Sequence, residues 1–400
     1  MLKNIIINNL SLGLQFGSRW VLNIVLLKNL SISEFGLFSF LYSVSNILSS
    51  TLPFGSSIYI FKENTQDGNK NLVINSFIVV LISFCIVVFL YLCLLLFNIK
   101  INGSDYMLYP IILGLLISLN IILASYLKSM SLFIKELKVY FLFSILLFGT
   151  IFYIYIKQTI DISRVFQMLI LINFITILFF IKISSIKLRV LGFNQSLTNI
   201  KGLFNDRLYY GLQEIQTAIY GQSSVIILFY LLTAELYGTY RALIILIMPI
   251  SLISYSMSQV FINYLKKDIE NINSRFRKIF LFSFFSALAI FSLYFIFQVQ
   301  LLDLINLDTK NKDLLILLTI LVFLKLTNSS YCALLIVLNK QKLRFYGALL
   351  SSVVFISLIL SLIEDTDIKT AILINLFATF VLSIVYTVFG EINLYKENKK

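Results

Sequence analysis

Histidine is absent from this 400-residue chain; cysteine and proline occur three times each and tryptophan once. Each shortage closes off a class of function. Without histidine or a cysteine cluster there is no zinc centre, no haem site and no Ser-His-Asp triad. Cys85, Cys93 and Cys332 all fall in apolar segments. The first two are eight residues apart on one expected helix, roughly 12 Å in rise, too far to bridge. Charge is also scarce, at 13% of residues against 59% hydrophobic. Apolar segments of about 20 residues, the length that crosses a bilayer, use up most of the chain. They leave no room for a folded soluble domain, so a catalytic head on an anchor is excluded. The N-terminal stretch carries Lys3, Asn8, Asn9, Gln15 and Arg19. It lacks the purely apolar core of a cleavable signal and reads as a first span that stays.

What the chain does hold is about twelve apolar spans. They fall at roughly 5–27, 37–60, 73–97, 107–127, 139–156, 165–183, 208–232, 236–262, 278–301, 314–338, 345–363 and 369–392. Of the 32 basic residues, 22 lie in the even-numbered connections and the tails, seven in the odd-numbered connections, and three (Arg19, Arg241 and Lys325) inside spans. Basic loops stay cytoplasmic, so both termini are expected inside. The same rule accounts for the net charge of +13, and a nucleic-acid partner is rejected because the basic residues form no single patch. Pro53, followed by Gly55, and Pro249 lie inside the second and eighth spans. Either could kink its helix, although membrane helices also tolerate proline.

The longest connection divides the chain into an N-terminal six-helix lobe (1–186), a cytoplasmic linker (187–207) and a C-terminal six-helix lobe (208–400). The halves echo each other. Leu30-Ser31-Ile32-Ser33-Glu34-Phe35-Gly36-Leu37-Phe38 aligns with Leu232-Thr233-Ala234-Glu235-Leu236-Tyr237-Gly238-Thr239-Tyr240. A fainter echo joins the ends of spans four and ten, Lys128 to Lys135 and Ala333 to Arg344. Six spans per half is an even number, so the halves share orientation and form a parallel pseudo-repeat.

Polar residues concentrate on particular spans. Gln15, Arg19 and Asn23 stack on one face of the first; Ser39, Ser43, Asn46 and Ser50 do so on the second. Gln213, Gln216, Thr217, Tyr220, Ser223 and Ser224 stripe the seventh, and Ser251, Ser254, Tyr255 and Ser258 the eighth. Serine stripes also serve as helix-packing faces. Gln and Tyr are too large for that, so the seventh span gives the clearest sign of a wet cleft. Four ionisable residues lie deeper. Lys325 sits near the middle of its span, beyond the reach of snorkelling. Arg19 cannot deprotonate and needs a polar site. Arg241 and Glu214 lie one to two turns inside; Arg241 could snorkel, and Glu214 could pair with Arg19 or bind a coupling ion. Three cations and one acid sum to +2, which favours an anionic ligand.

The segment from Leu30 to Ser39 resembles the signature that follows the first span in Wzx-type polysaccharide flippases, the O-antigen and capsule repeat-unit translocators. These are grouped with the MATE exporters in one superfamily of twelve-span, two-lobed transporters. Leu236-Tyr237-Gly238-Thr239-Tyr240 matches the second-half copy, and the Lys128 to Lys135 region resembles the basic turn after the fourth span. A proline frequent early in the seventh span is missing from Leu208–Gly211. The resemblance implies an all-α, MATE-like membrane protein without enzymatic activity. It further implies alternating access that carries undecaprenyl-pyrophosphate-linked oligosaccharide across the bacterial cytoplasmic membrane for lipopolysaccharide or capsule assembly. On that reading Arg19 and Lys325, assisted by Arg241, meet the pyrophosphate. Gln15, Asn23, Gln213, Gln216 and Tyr220 meet the sugars, and Glu214 holds a coupling H+ or Na+ or Arg19 itself. No other cofactor is expected; the partners are the lipid-linked oligosaccharide, membrane lipids and other polysaccharide-assembly proteins. Two alternatives stay open: a MATE-type multidrug/cation antiporter, and a membrane-embedded polysaccharide polymerase. The polymerase would draw on the outer-loop acids Asp303, Asp308, Asp313, Glu364, Asp365 and Asp367, which also read as ordinary solvated helix ends.

Overall fold

The computed structural model describes residues 2–63, 70–97, 104–130, 132–157, 160–184, 200–266, 268, 270–338, 340–362 and 367–397. They form fifteen α-helices: α1 (Leu2–Asn29), α2 (Ile32–Thr51), α3 (Ser56–Glu63), α4 (Lys70–Leu96), α5 (Leu108–Ser129), α6 (Phe133–Lys157), α7 (Ile162–Ser184), α8 (Ile200–Asn205), α9 (Leu208–Leu231), α10 (Ala234–Lys266), α11 (Ile272–Ile296), α12 (Gln298–Leu304), α13 (Lys312–Val337), α14 (Gln341–Ser361) and α15 (Ile368–Glu397). Among the described residues nine helices (α1, α4, α5, α6, α7, α11, α13, α14 and α15) are long and apolar enough to cross a membrane, judged by length and composition. The other expected spans, the second, seventh and eighth, correspond to α2 with α3, to α9 and to α10. The protein is an all-helical membrane protein.

Local sequence explains where helices stop. The second span runs as α2, breaks at Leu52–Gly55 and resumes as α3. Pro53 cannot donate to the helical ladder. Phe54 (φ 46°) and Gly55 (φ 76°) then take left-handed backbone. Pro249 is different: α10 continues through it for 33 residues. The repeated motif proves to be a helix start. Ser31 caps α2 in a capping box, its hydroxyl accepting from the Glu34 N–H while the Glu34 carboxylate accepts from the Ser31 N–H at 3.0 Å. In the second copy the Thr233 hydroxyl accepts from the Leu236 N–H at 3.4 Å, at the start of α10. Phe35 and Tyr237, and likewise Phe38 and Tyr240, are fully buried at matching positions.

The chain forms two compact units, Met1–Ile226 and Ile227–Lys400. In the first, α2, α3, α4 and α7 pack on α5, α6 lies against α7, and α1 runs along α6. In the second, α10, α11 and α15 pack on α13, and α14 lies against α15. Thus α5 and α13, the fourth and tenth expected spans, play the same central part. Each also carries a buried asparagine tied to the last helix of its half. The Asn120 side-chain amide donates to the Asn173 Oδ1 on α7 at 3.1 Å. The Asn328 amide donates to the Ser383 hydroxyl on α15 at 2.8 Å. With no water in hydrocarbon to compete, such bonds fix which helices pair, at about 0.6–2 kcal/mol each.

Candidate functional site

On α1 the polar stripe is drawn towards α6. Gln15 hydrogen-bonds Tyr140, and the Leu14 carbonyl accepts from the Ser144 hydroxyl at 3.1 Å. The Arg19 guanidinium stands 5.3 Å from the centroid of the Phe143 ring, a cation–π contact. Asn23 is buried, and its amide donates to the Arg19 carbonyl at 3.0 Å. Arg19 itself remains half-buried.

The expected pairing of Glu214 with Arg19 does not form. Glu214 is instead taken up by the break in the second span. Its carboxylate accepts from the Gly55 N–H at 2.8 Å and from the Ser57 hydroxyl. Gly55 immediately precedes α3 and Ser57 lies in its first turn, so a carboxylate from another helix is held at the start of α3. Arg207, just before α9, and Gly211 within it supply the rest of this contact, because residues 207, 211 and 214 are spaced by four and three. Arg207 was expected to be an ordinary loop cation, yet it is 1% exposed. Its Nε donates to the Ser56 hydroxyl at 3.1 Å and its Nη1 to the Leu203 carbonyl at 2.8 Å. Its guanidinium lies 4.3 Å from the Tyr59 ring centroid. Leu203 and Phe204 of α8 seat in an apolar cluster with Phe54, Ile74, Ile78 and Val79. The signal for this site was present in the Pro53-Phe54-Gly55 sequence and the spacing of residues 207, 211 and 214. The partnership between them was not.

In the second unit Lys325 is exposed at mid-helix on α13. Its carbonyl accepts from the Ser254 hydroxyl of α10 at 3.3 Å. Arg241 is half-buried. Among the described residues its Nε has no hydrogen-bond partner, and neither do the buried Tyr237 hydroxyl one turn earlier and the buried Gln216 side-chain nitrogen on α9. The Gln213 and Tyr220 side chains lie outside the described residues. Among the described residues none of Arg19, Arg241 and Lys325 forms a salt bridge; the pairs are Lys128–Glu136, Arg275–Asp268 and Arg277–Glu391. Glu136, another acid that sequence reasoning passed over, is fully buried in the first turn of α6, with the Lys128 amine 3.3 Å away.

No protein-family profile and no curated protein matches the sequence. Solved structures do match. The inward-facing conformation of a multidrug resistance MATE family transporter of the MOP superfamily aligns with a TM-score of 0.71 at 15% identity, covering 99% of this chain and 96% of that one. The fold is MATE-like. The outward-facing conformation of such a MATE transporter aligns with the same TM-score and identity over 100% and 97% of the two chains. A MOP superfamily transporter from Pyrococcus furiosus Vc1, whose reverse polarity of binding pocket suggests a different function, aligns at 0.67 with 14% identity over 100% and 96%. On the MATE-like scaffold, then, Arg19, Arg241 and Lys325 sit within helices without a salt-bridge partner among the described residues, while Glu214 is held at the start of α3.

Proposed function

We propose that this protein is an alternating-access transporter. On this reading it carries an anionic, undecaprenyl-pyrophosphate-linked oligosaccharide across the bacterial cytoplasmic membrane, supplying repeat units for a surface polysaccharide such as O-antigen or capsule. Uncompensated charge is the observation that supports this reading best: Arg19, Arg241 and Lys325 have no salt-bridge partner among the described residues. Cations in spans are costly unless paired or facing water, and a diphosphate supplies the missing negative charge. Forked guanidinium donors match its oxygens, and a lysine amine serves as a point charge. The sugar hydroxyls, which cannot cross hydrocarbon unsatisfied, turn to Gln15, Asn23, Gln213, Gln216 and Tyr220. The polyprenyl tail stays among membrane lipids. Glu214, held by two neutral donors, is the place where a coupling H+ or Na+ acts. Both termini face the cytoplasm, and polysaccharide-assembly proteins are natural partners.

Purified protein in proteoliposomes tests this directly. Translocation of the lipid-linked oligosaccharide by the parent chain, with severe loss in Lys325→Ala, is the expected outcome. Normal surface polysaccharide in a strain carrying only Lys325→Ala counts against the assignment. A second reading, a cation-exporting MATE antiporter, is favoured by the multidrug transporters among the structural neighbours. Drug cations call for free acids in the cleft, whereas Glu214 is already engaged. Unchanged sensitivity to cationic dyes after deletion disposes of that reading.

A further inference from the structure

We infer that α9 and the break in the second span form a latch, closed in this structure, which the transport cycle must open. The inference rests on the alternating-access reading above but on no particular substrate. Three contacts from the first turns of α9 and the residue just before it make the latch. Arg207 reaches Ser56 and covers Tyr59. Glu214 accepts from the Gly55 N–H and the Ser57 hydroxyl at the start of α3. Between them two glycine backbones meet. A Cβ on Gly55 would stand 2.5 Å from the Gly211 nitrogen, and one on Gly211 would stand 2.8 Å from the Phe54 ring.

Two features separate a latch from a permanent rivet. A rivet is expected to be fully satisfied, yet among the described residues the buried Arg207 Nη2 has no acceptor. Phe54, a bulky residue, is held at φ 46°, and strained backbone of this kind persists only where its surroundings enforce it. The closed contact therefore carries unsatisfied and strained groups that opening would relieve. In addition, α9 begins in the first compact unit and its last residues belong to the second. The latch fixes the first turns of this shared helix.

The test starts from a chain in which Cys85, Cys93 and Cys332 are replaced by serine. Phe54→Cys and Gly211→Cys are then introduced together. Oxidation is expected to join the two cysteines, abolish translocation of undecaprenyl-pyrophosphate-linked oligosaccharide in proteoliposomes, and allow recovery on reduction. Failure to cross-link overturns the contact; full transport with the cross-link in place shows a rivet and overturns the latch. A second measurement needs neither substrate nor transport. In detergent, Ser56→Cys is labelled with a maleimide in the native and Glu214→Gln backgrounds. Loss of a charge-assisted hydrogen bond is expected to raise the labelling rate roughly tenfold. Equal rates overturn the latch while leaving the substrate reading untouched; a parent chain that transports another substrate but not the lipid-linked oligosaccharide does the reverse.

Discussion

Replacing Gly55 by alanine is the sharpest single perturbation of the broken second span. Gly55 has φ 76°, a backbone state that costs an L-residue roughly 1–2 kcal/mol. The new methyl would also lie 2.5 Å from both the Gly211 nitrogen and the Tyr210 Cβ, and 2.7 Å from the Tyr210 carbonyl carbon. Most of these are backbone or near-backbone atoms, which cannot swing aside as a side-chain tip does. Relieving such an overlap typically costs about 1–3 kcal/mol. The expected destabilisation is therefore about 2–5 kcal/mol, read from SDS-driven unfolding in mixed micelles. Gly149→Ala is the matched control: nothing lies within 4 Å of its added Cβ on α6, so alanine should be neutral or stabilise by up to about 1 kcal/mol. Gly211→Ala should fall between, because its clash is with the Phe54 ring. If Gly55→Ala unfolds within about 0.5 kcal/mol of the parent while Gly149→Ala does not gain, the close approach of α9 to the break is wrong.

Lys325→Ala should leave the unfolding profile unchanged, since the amine has no salt-bridge partner among the described residues, but cut translocation at least tenfold; equal loss of folding and transport speaks against a substrate role. Asp367 accepts from the Thr370 N–H at 2.6 Å at the start of α15, and this bond holds its carboxyl below the usual range. That stability is present above the ordinary carboxylate pKa of about 4 and is lost as pH falls through the lower folded value. Asp367→Ala should cost about 1 kcal/mol at pH 7 and nothing at strongly acid pH, and a pH-independent cost refutes the cap. Arg277 grips Glu391 with two bonds of 2.9 and 2.7 Å, and Tyr331 donates to the same carboxylate at 3.1 Å. Because the pair is half-exposed, Arg277→Ala should cost no more than about 1 kcal/mol, and less in high salt.

Fold class was legible because hydrocarbon imposes a single length and polarity rule on each span. The Leu30 and Leu232 motifs were legible as an echo, whereas their role as helix starts, with the Ser31–Glu34 capping box, emerged only from the structure. The Pro53 break was open to expectation, whereas Pro249 shows that proline alone does not decide it; positive φ at Phe54 and Gly55 does. Glu214 illustrates what could not be read. Its nearest oppositely charged residue by stripe logic was Arg19, but its partners are a backbone amide and a serine 159 and 157 positions away. Arg207 was hidden for the same reason: the positive-inside rule placed it in a loop, and its partners Ser56, 151 positions away, and Tyr59 lie on α3. Long-range contacts between helices leave no periodic trace in a single sequence.

Initial rates of translocation in proteoliposomes test the central claim, that unpaired embedded cations receive an anionic headgroup. The parent chain should move undecaprenyl-pyrophosphate-linked oligosaccharide, and Arg19→Ala with Lys325→Ala should slow it by well over tenfold, as loss of charge-assisted bonds worth about 1.5–3 kcal/mol each demands. An undiminished rate in the double variant, or transport of organic cations in place of the lipid-linked sugar, would contradict it.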